Sequence, residues 1–220
     1  MSDFFIVIPT IRKYVIALNR LIESIPENHK YIIIYQGEEK ESYEVLPNGN
    51  IEISIKHNIY EYGNYIGVNI LIENNIVSVD SWFLFIHDTC KFHNDSIQLT
   101  RDIIDKYNST DIDIIWLSPN GQCNLCLIRH NGIKAGYNIY KNELIMDKMA
   151  AIHGEWDWKN TLSPKKMNIK QEFIQIPQKH MGKKDIYGTN VIRDILLFRS
   201  INLEKYYFYT NKTSDHPVNP

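Results

Sequence analysis

The chain predicts an α/β fold, a mostly parallel, doubly wound Rossmann-like sheet with helices on both faces and a less regular C-terminal part. Three observations predict it. The apolar runs Phe4–Ile8, Tyr31–Tyr35 and Trp82–Ile86 are too short for helices and have no polar face, so they read as strands buried on both sides. Between them lie segments whose apolar residues recur at helical spacing. Each run stops at polar or turn residues: Pro9-Thr10, Gln36-Gly37 and His87-Asp88-Thr89.

Taken in order, Phe4–Ile8 (FFIVI) is the first strand, ended by Pro9. Thr10 is placed to cap a helix to about Ser24, with Tyr14, Ala17, Leu18, Leu21 and Ile25 at core spacing. Pro26-Glu27-Asn28 breaks that helix. Tyr31–Tyr35 is the second strand, and Ile51, Ile53 and Ile55 alternate as a third. Tyr60–Glu73 reads as a helix with Tyr65, Val68, Leu71 and Ile72 inward. Trp82–Ile86 is the fourth strand. Asp95 is placed to cap a helix holding Ile97, Ile103, Ile104 and Tyr107. Ile112–Leu117 and Cys123–Arg129 are later strands. Beyond Gly136 the periodicity blurs. The expectations there are a helix over Asn142–Ile152, a short strand at Phe173–Ile176, a last helix over Asn190–Ile201 and a strand at Tyr206–Tyr209. The tail, Asn211–Pro220, is polar and holds two prolines. No repeat and no linker divides the 220 residues, so a single domain is expected.

Composition bounds the function. Apolar content of 44% suits a globular protein with a substantial core. A net charge of −2, from 24 basic and 26 acidic residues, gives no electrostatic case for a nucleic-acid partner. Three cysteines (Cys90, Cys123, Cys126) are too few and too odd for a disulfide framework, which argues for a reducing compartment. Cys123 and Cys126 have knuckle spacing but no second pair, and they lie in a strand-like run. No signal peptide and no run near the ~20 residues of a membrane span is visible, so a cytoplasmic location is expected. Neither GxGxxG nor GxxxxGK[ST] is present, which removes the phosphate loop of a dinucleotide or P-loop protein.

The densest chemistry lies in Ser81–Phe92 (SWFLFIHDTCKF), where a buried strand delivers His87 and Asp88 at its C-terminal end. Open α/β sheets bind ligands in the crevice at those ends. Thr10 and Arg12 follow the first strand, and Gln36 ends the second, where a polar side chain can read the edge of a pyrimidine. Gly63 and Gly67 allow close backbone approach at a helix start, or serve packing. Lys179–Lys184 (KHMGKK) is a basic cluster that either contacts phosphate from a loop or is a solvated turn. His153-Gly154-Glu155-Trp156-Asp157-Trp158 sets two carboxylates among indoles.

The order and spacing of four segments resemble glycosyltransferases of the GT-A fold over roughly Phe4–Trp158. Phe4–Lys13 (FFIVIPTIRK) is similar to the family's opening strand and loop, which holds base and ribose. His57–Asn69 (HNIYEYGNYIGVN) is similar to its Asn-x-Gly…Asn helix start beside the nucleotide. Phe83–Thr89 (FLFIHDT) stands where the family places its Asp-x-Asp metal motif, with His87 and Thr89 where two aspartates are usual and Asp88 between them. HGEWDW looks like the late acidic motif for the acceptor.

The resemblance implies a nucleotide-binding half over residues 1–110, an acceptor-side half over 111–210 and a tail. It implies a nucleotide-sugar donor (a UDP- or GDP-sugar), a glycan or other hydroxyl acceptor, and Mn²⁺ or Mg²⁺. Asp88 is then the carboxylate for the cation, or else a cap of the following turn. His87 is a ligand, a ribose contact or a structural imidazole. A second ligand is sought in a late histidine, His180 before His153 or His216. Pro9, Thr10, Arg12, Gln36, Gly63, Asn69, His87, Lys183 and Arg193 are the expected donor contacts, although Arg193 can equally pair with Asp194 or Glu204. Glu155 is expected as the base that takes the acceptor proton, with Asp157 positioning the acceptor; the alternative is a surface acidic turn with its tryptophans in the core. Two other functions stay open. A nucleotidyltransferase usually carries a glycine in its first loop, and Pro9–Lys13 has none. A degenerate relative binds nucleotide or glycan without turnover.

Overall fold

A computed structural model describes residues 4–117, 125–151, 169–171, 175–184, 191–198 and 200–208. Its strands are β1 (Phe4–Thr10), β2 (Tyr31–Gln36), β3 (Ser42–Val45), β4 (Ile51–Ile55), β5 (Trp82–Phe85), β6 (Cys90–Phe92), β7 (Ile114–Trp116), β8 (Cys126–Ile128), β9 (Ile169–Gln171), β10 (Gln175–Lys184), β11 (Val191–Phe198) and β12 (Leu203–Phe208). The helices are α1 (Val15–Ser24), α2 (Gly63–Glu73), α3 (Ser96–Tyr107) and α4 (His130–Tyr140). A 3₁₀ turn leads into α1 (Arg12–Tyr14) and another into α2 (Tyr60–Tyr62).

The expected α/β sheet is present. Eight strands run in the order β3-β4-β2-β1-β5-β8-β7-β9. The centre is parallel: β1 pairs with β2 on one side and β5 on the other, and β2 pairs with β4. β3 and β8 run antiparallel to their neighbours, so the sheet is mixed. The apolar runs make this centre because each is buried on both faces. Val7, Ile32, Ile34, Phe83 and Phe85 join one core with α2 and α4; Ile6, Ile8, Ile33, Trp82 and Leu84 join a second with α1 and α3. Each fully buried side chain of this size contributes roughly 1.5–3 kcal/mol.

A second sheet, β10-β11-β12-β6, is antiparallel throughout. It corrects two expectations. The helix expected over Asn190–Ile201 is β11, and the basic cluster at Lys179–Lys184 lies in β10 rather than in a loop. Ile192, Ile195 and Leu196 stand at helical spacing, but ladders on both sides hold the segment extended. The strand expected at Phe173–Ile176 is β10, beginning at Gln175. The strand at Tyr206–Tyr209 is β12, which begins earlier, at Leu203.

Other boundaries shift for local reasons. Thr10 does not cap a helix; it is the last residue of β1, and its hydroxyl is used elsewhere. Asp95 stands at the start of α3 without a capping bond, because its Oδ1 accepts from Asn202 Nδ2 at 2.5 Å. The helix expected over Asn142–Ile152 gives way at its start to a turn and an isolated bridge between Asn58 and Ile145. Residues 148–151 of that stretch are helical, and α4, just before it, is a helix not expected from the sequence, whose two glycines allow close packing. A Cβ at Gly132 would meet Ile128 at 2.6 Å, and one at Gly136 would overlap the Tyr65 ring. β3 and β6 are additional short strands, the first fully exposed at the sheet edge. Cys126 is buried in β8, between Phe85 and Trp116, where burial pushes its thiol pKa up. Cys123 lies outside the described residues. No helix among the described residues is long and apolar enough to cross a membrane.

Candidate functional site

The C-terminal ends of β1, β2 and β5 are adjacent, so Thr10, Gln36 and His87-Asp88 come to one rim of the sheet. Asp88 is 8% exposed, and its Oδ2 accepts a hydrogen bond from the Thr10 hydroxyl at 3.0 Å. Its pKa is raised. Burial is the main cause, and the nearby Glu61 charge adds to it, against the opposing pulls of His87, the Thr10 hydrogen bond and Arg20. Tyr14, whose pKa is also raised by burial and by Asp88, flanks the same carboxylate.

His87 is paired: its Nε2 lies 2.6 Å from Glu61 Oε1. The Glu61 side chain is 7% exposed and that of His87 is 23% exposed. Burial disfavours the Glu61 carboxylate, but His87, its hydrogen bond, a backbone N–H and Lys205 more than offset that, holding its pKa well below the ordinary carboxylate range. Glu61 Oε2 is buried without a hydrogen-bond partner in the described residues.

The delivery of Glu61 has a local cause. Tyr60 adopts a left-handed backbone, φ 56°, a conformation that costs a bulky residue about 1–3 kcal/mol. Gln36 braces it. Its Nε2 donates to Tyr60 O at 2.7 Å, and its Oε1 accepts from Ile59 N–H at 3.0 Å. Gly63 completes the fit, since a Cβ there would come within 2.5 Å of the Gln36 amide. Gln36 is therefore at the expected strand end with both amide atoms engaged by the chain.

The other expected donor contacts fall as follows. Pro9 is buried in β1, opposite Ile34. Arg12 is exposed at the rim, 3.1 Å from Glu38, with its guanidinium 4.2 Å from the Tyr35 ring centroid. Asn69 is buried in α2, and its Nδ2 has no hydrogen-bond partner in the described residues. Lys183 lies on β10 opposite Ile192, and Arg193 falls at the irregularity in the β11–β12 ladder. His180 falls in the irregular stretch between Lys179 and Lys183. β10 is three strands from β6, roughly 14 Å at ordinary strand spacing. Glu155, Asp157, His153 and His216 lie outside the described residues.

Three residues at this rim escaped the sequence reading. Glu61 is one; its signal is a lone carboxylate between two tyrosines just before the helix-starting Gly63. Arg20 and Lys205 are the others, each 7% exposed. Arg20 reaches the cluster from α1 with its guanidinium 4.5 Å from the Tyr206 ring centroid, and Lys205 reaches it from β12. Their charges act on Asp88 and Glu61 respectively. Both also oppose the burial that raises the Cys90 thiol to about 11.

Among the described residues no three His, Cys, Asp or Glu side chains form a group that could hold a metal ion by itself. A divalent cation shared with a diphosphate needs less, one or two carboxylates with the remaining ligands from phosphate and water. The buried Asp88 carboxylate, with the unpartnered Glu61 Oε2 in the same charged cluster, fits that smaller requirement.

No protein-family model matches the chain, and no curated protein matches it in sequence. Among solved structures, the fold is similar to that of a glycosyltransferase involved in the glycosylation of the major capsid of PBCV-1. The TM-score is 0.51 at 9% identity, over 78% of this chain and 82% of that one. At that identity the likeness establishes a shared glycosyltransferase-like α/β fold.

Proposed function

We propose that the chain transfers a sugar from a nucleoside diphosphate donor, a UDP- or GDP-sugar, to a hydroxyl acceptor such as a glycan, with Mn²⁺ or Mg²⁺ as cofactor. One observation carries the reading. At the ligand-binding rim of a fold shared with a glycosyltransferase, adjacent parallel strands bring Thr10 and Asp88 to 3.0 Å beside the His87–Glu61 pair.

The residues divide the work. Thr10 occupies Oδ2 of Asp88 and leaves Oδ1 for the cation. The cation, when bound, neutralises charge on the leaving diphosphate. Arg12, exposed beside Tyr35, contacts the nucleotide together with Pro9 and His87. Gln36 and Gly63 shape the wall by bracing Tyr60, and Asn69 stands behind it. Lys183 and Arg193 are assigned to the diphosphate from the second sheet. His180, on the same strand as Lys183, is the late histidine assigned beside Asp88 to the cation. Glu155 takes the acceptor proton and Asp157 orients the acceptor, as a base must lie within hydrogen-bond reach of the hydroxyl it activates.

The test is calorimetric titration with UDP and GDP, with and without Mn²⁺, followed by hydrolysis of nucleotide-sugars without acceptor. Binding with slow hydrolysis is expected. No heat and no melting shift with any nucleoside diphosphate would sink the reading, and binding without turnover would make the protein a receptor rather than an enzyme. Glu155→Gln should lower transfer about 10²–10⁴-fold with near-normal donor affinity.

A further inference from the structure

We infer that Glu61 is a positioning residue, which holds the His87 ring by Nε2 and so presents Nδ1 to a hydroxyl of the bound donor. This rests on the nucleotide-sugar reading above. An ionised carboxylate only accepts hydrogen bonds, so the nitrogen 2.6 Å from Glu61 Oε1 carries the proton. Nδ1 is then the nitrogen left to a ligand: it accepts from a hydroxyl when the ring is neutral and donates to one when the ring is charged. Its natural partner is an O–H, which nucleotide-sugars carry on the ribose and on the sugar.

The arrangement suits positioning. The buried member of the pair is the carboxylate, and the member with residual exposure is the ring. The turn that supplies Glu61 is strained at Tyr60 and is held at two points by Gln36. A surface ion pair needs no such scaffold. Strained backbone of this kind persists where the surroundings over-determine it, and such positions cluster at ligand clamps. Gln36 thus serves the donor indirectly, through the turn that sets Glu61, and His87 is the residue of the pair that touches ligand.

The experiment compares affinities of UDP, 2′-deoxy-UDP, 3′-deoxy-UDP and a UDP-sugar for wild type, Glu61→Ala, Glu61→Gln and His87→Phe. The matching guanosine set is used if wild type prefers it. Wild type should bind the ribo form about 2–10-fold more tightly than one deoxy form, the worth of one hydrogen bond. Glu61→Ala and His87→Phe should bring that ratio close to one. Glu61→Gln keeps an acceptor oxygen for Nε2–H and should retain most of it.

If wild type ignores the ribose hydroxyls, but favours the nucleotide-sugar in a ratio that both variants lose, the hydroxyl is the sugar's and the inference stands. A Glu61→Ala protein that melts earlier and binds every ligand more weakly by one common factor overturns it. So does a wild-type protein without either ratio. His87→Phe decides the matter if Glu61→Ala does not fold. Nitrogen-15 shifts of the His87 ring separate the two levels. If no nucleotide binds, the functional reading fails; if Nε2 carries a proton in wild type and loses that preference in Glu61→Gln or Glu61→Ala, the Glu61–Nε2 contact survives it, and a ring protonated on Nδ1 alone refutes the contact whatever binds.

Discussion

The same two strands, β1 and β5, end at both rims of the sheet, and the rims treat buried charge in opposite ways. At the N-terminal rim Phe4 lies opposite Trp82. The ring of His29 lies 4.1 Å from that of Phe4, and its Nε2 is buried without a hydrogen-bond partner in the described residues. His29 responds by discharging. Burial, helped by Arg101 and Lys30, lowers its pKa to about 4. The arginine that stays charged there, Arg129, stacks 4.3 Å from Trp82 and donates to the carbonyls of Tyr107, Asn108 and Thr110. At the C-terminal rim Glu61 is as deeply buried and also has an unpartnered atom, yet it is held ionised. A buried group with no counter-charge gives up its own charge. A group kept charged in the same sheet is being kept so by neighbours placed around it. That separates a rim where buried charge is given up or tied to carbonyls from the rim proposed for the ligand.

The largest test of this contrast is Asp88→Asn. Affinity for a nucleoside diphosphate with Mn²⁺ should fall about 10–150-fold, the worth of one charge-assisted interaction of about 1.5–3 kcal/mol. The fold should persist. Because the Asp88 pKa is raised, ionising it costs native stability as pH climbs past its ordinary 3.8, and the asparagine removes that cost. Melting curves should therefore favour the variant increasingly from pH 3 to pH 7. Unchanged affinity, measured calorimetrically, would take Asp88 out of the site.

Glu61→Gln should act on stability in the reverse sense. The Glu61 pKa is lowered, so its contribution is present above the ordinary value of 4.5 and fades as pH falls through the lower folded value. Urea unfolding should show a loss of about 1–3 kcal/mol at pH 7, less than for a fully buried pair because His87 is partly exposed. The loss should shrink steadily in acid. A cost independent of pH would mean that the pair is not ionised.

At the opposite rim, His29→Leu should change a pH limb and nothing else. Wild-type stability is lost as pH falls from about 6.5 toward 4, because the unfolded chain takes up a proton there that the native ring refuses. The leucine variant should lack that limb, and its nucleotide affinity should equal that of wild type. The smallest effect is expected from Arg129→Lys, about 1 kcal/mol of stability from lost carbonyl contacts. Either variant weakening the nucleotide would erase the distinction between the rims.

What was legible in the sequence follows from the range of the forces. β1, β2 and β5 were readable because a strand buried on both faces must be apolar at every position, a purely local demand. Thr10, His87 and Asp88 followed, since they are where those runs stop. β11 was not readable, because VIRDILLF is extended by its partners on both sides rather than by its own pattern. α4 was hidden by glycines that look like breakers and are in fact room for Ile128 and Tyr65. Gln36 was found, but its partners were not, since Ile59 and Tyr60 lie more than twenty positions away. Glu61, Arg20 and Lys205 share that difficulty: each becomes meaningful only when separate elements bring charges together.

Between the two sheets the chain has almost no slack. β6 begins two residues after Asp88 and closes the antiparallel sheet against β12, with Tyr206 N–H bonded to Thr89 O at 3.0 Å. Asp88 is thus a mooring point: a pull on it loads the ladders of the second sheet, and slack in that sheet lets it drift. Nucleotide binding should then slow amide exchange at Cys90–Phe92 and Leu203–Tyr206. Loosening the β6–β12 ladder should weaken nucleotide binding through Asp88, so that the four-stranded sheet acts as a tensioner for the carboxylate it anchors.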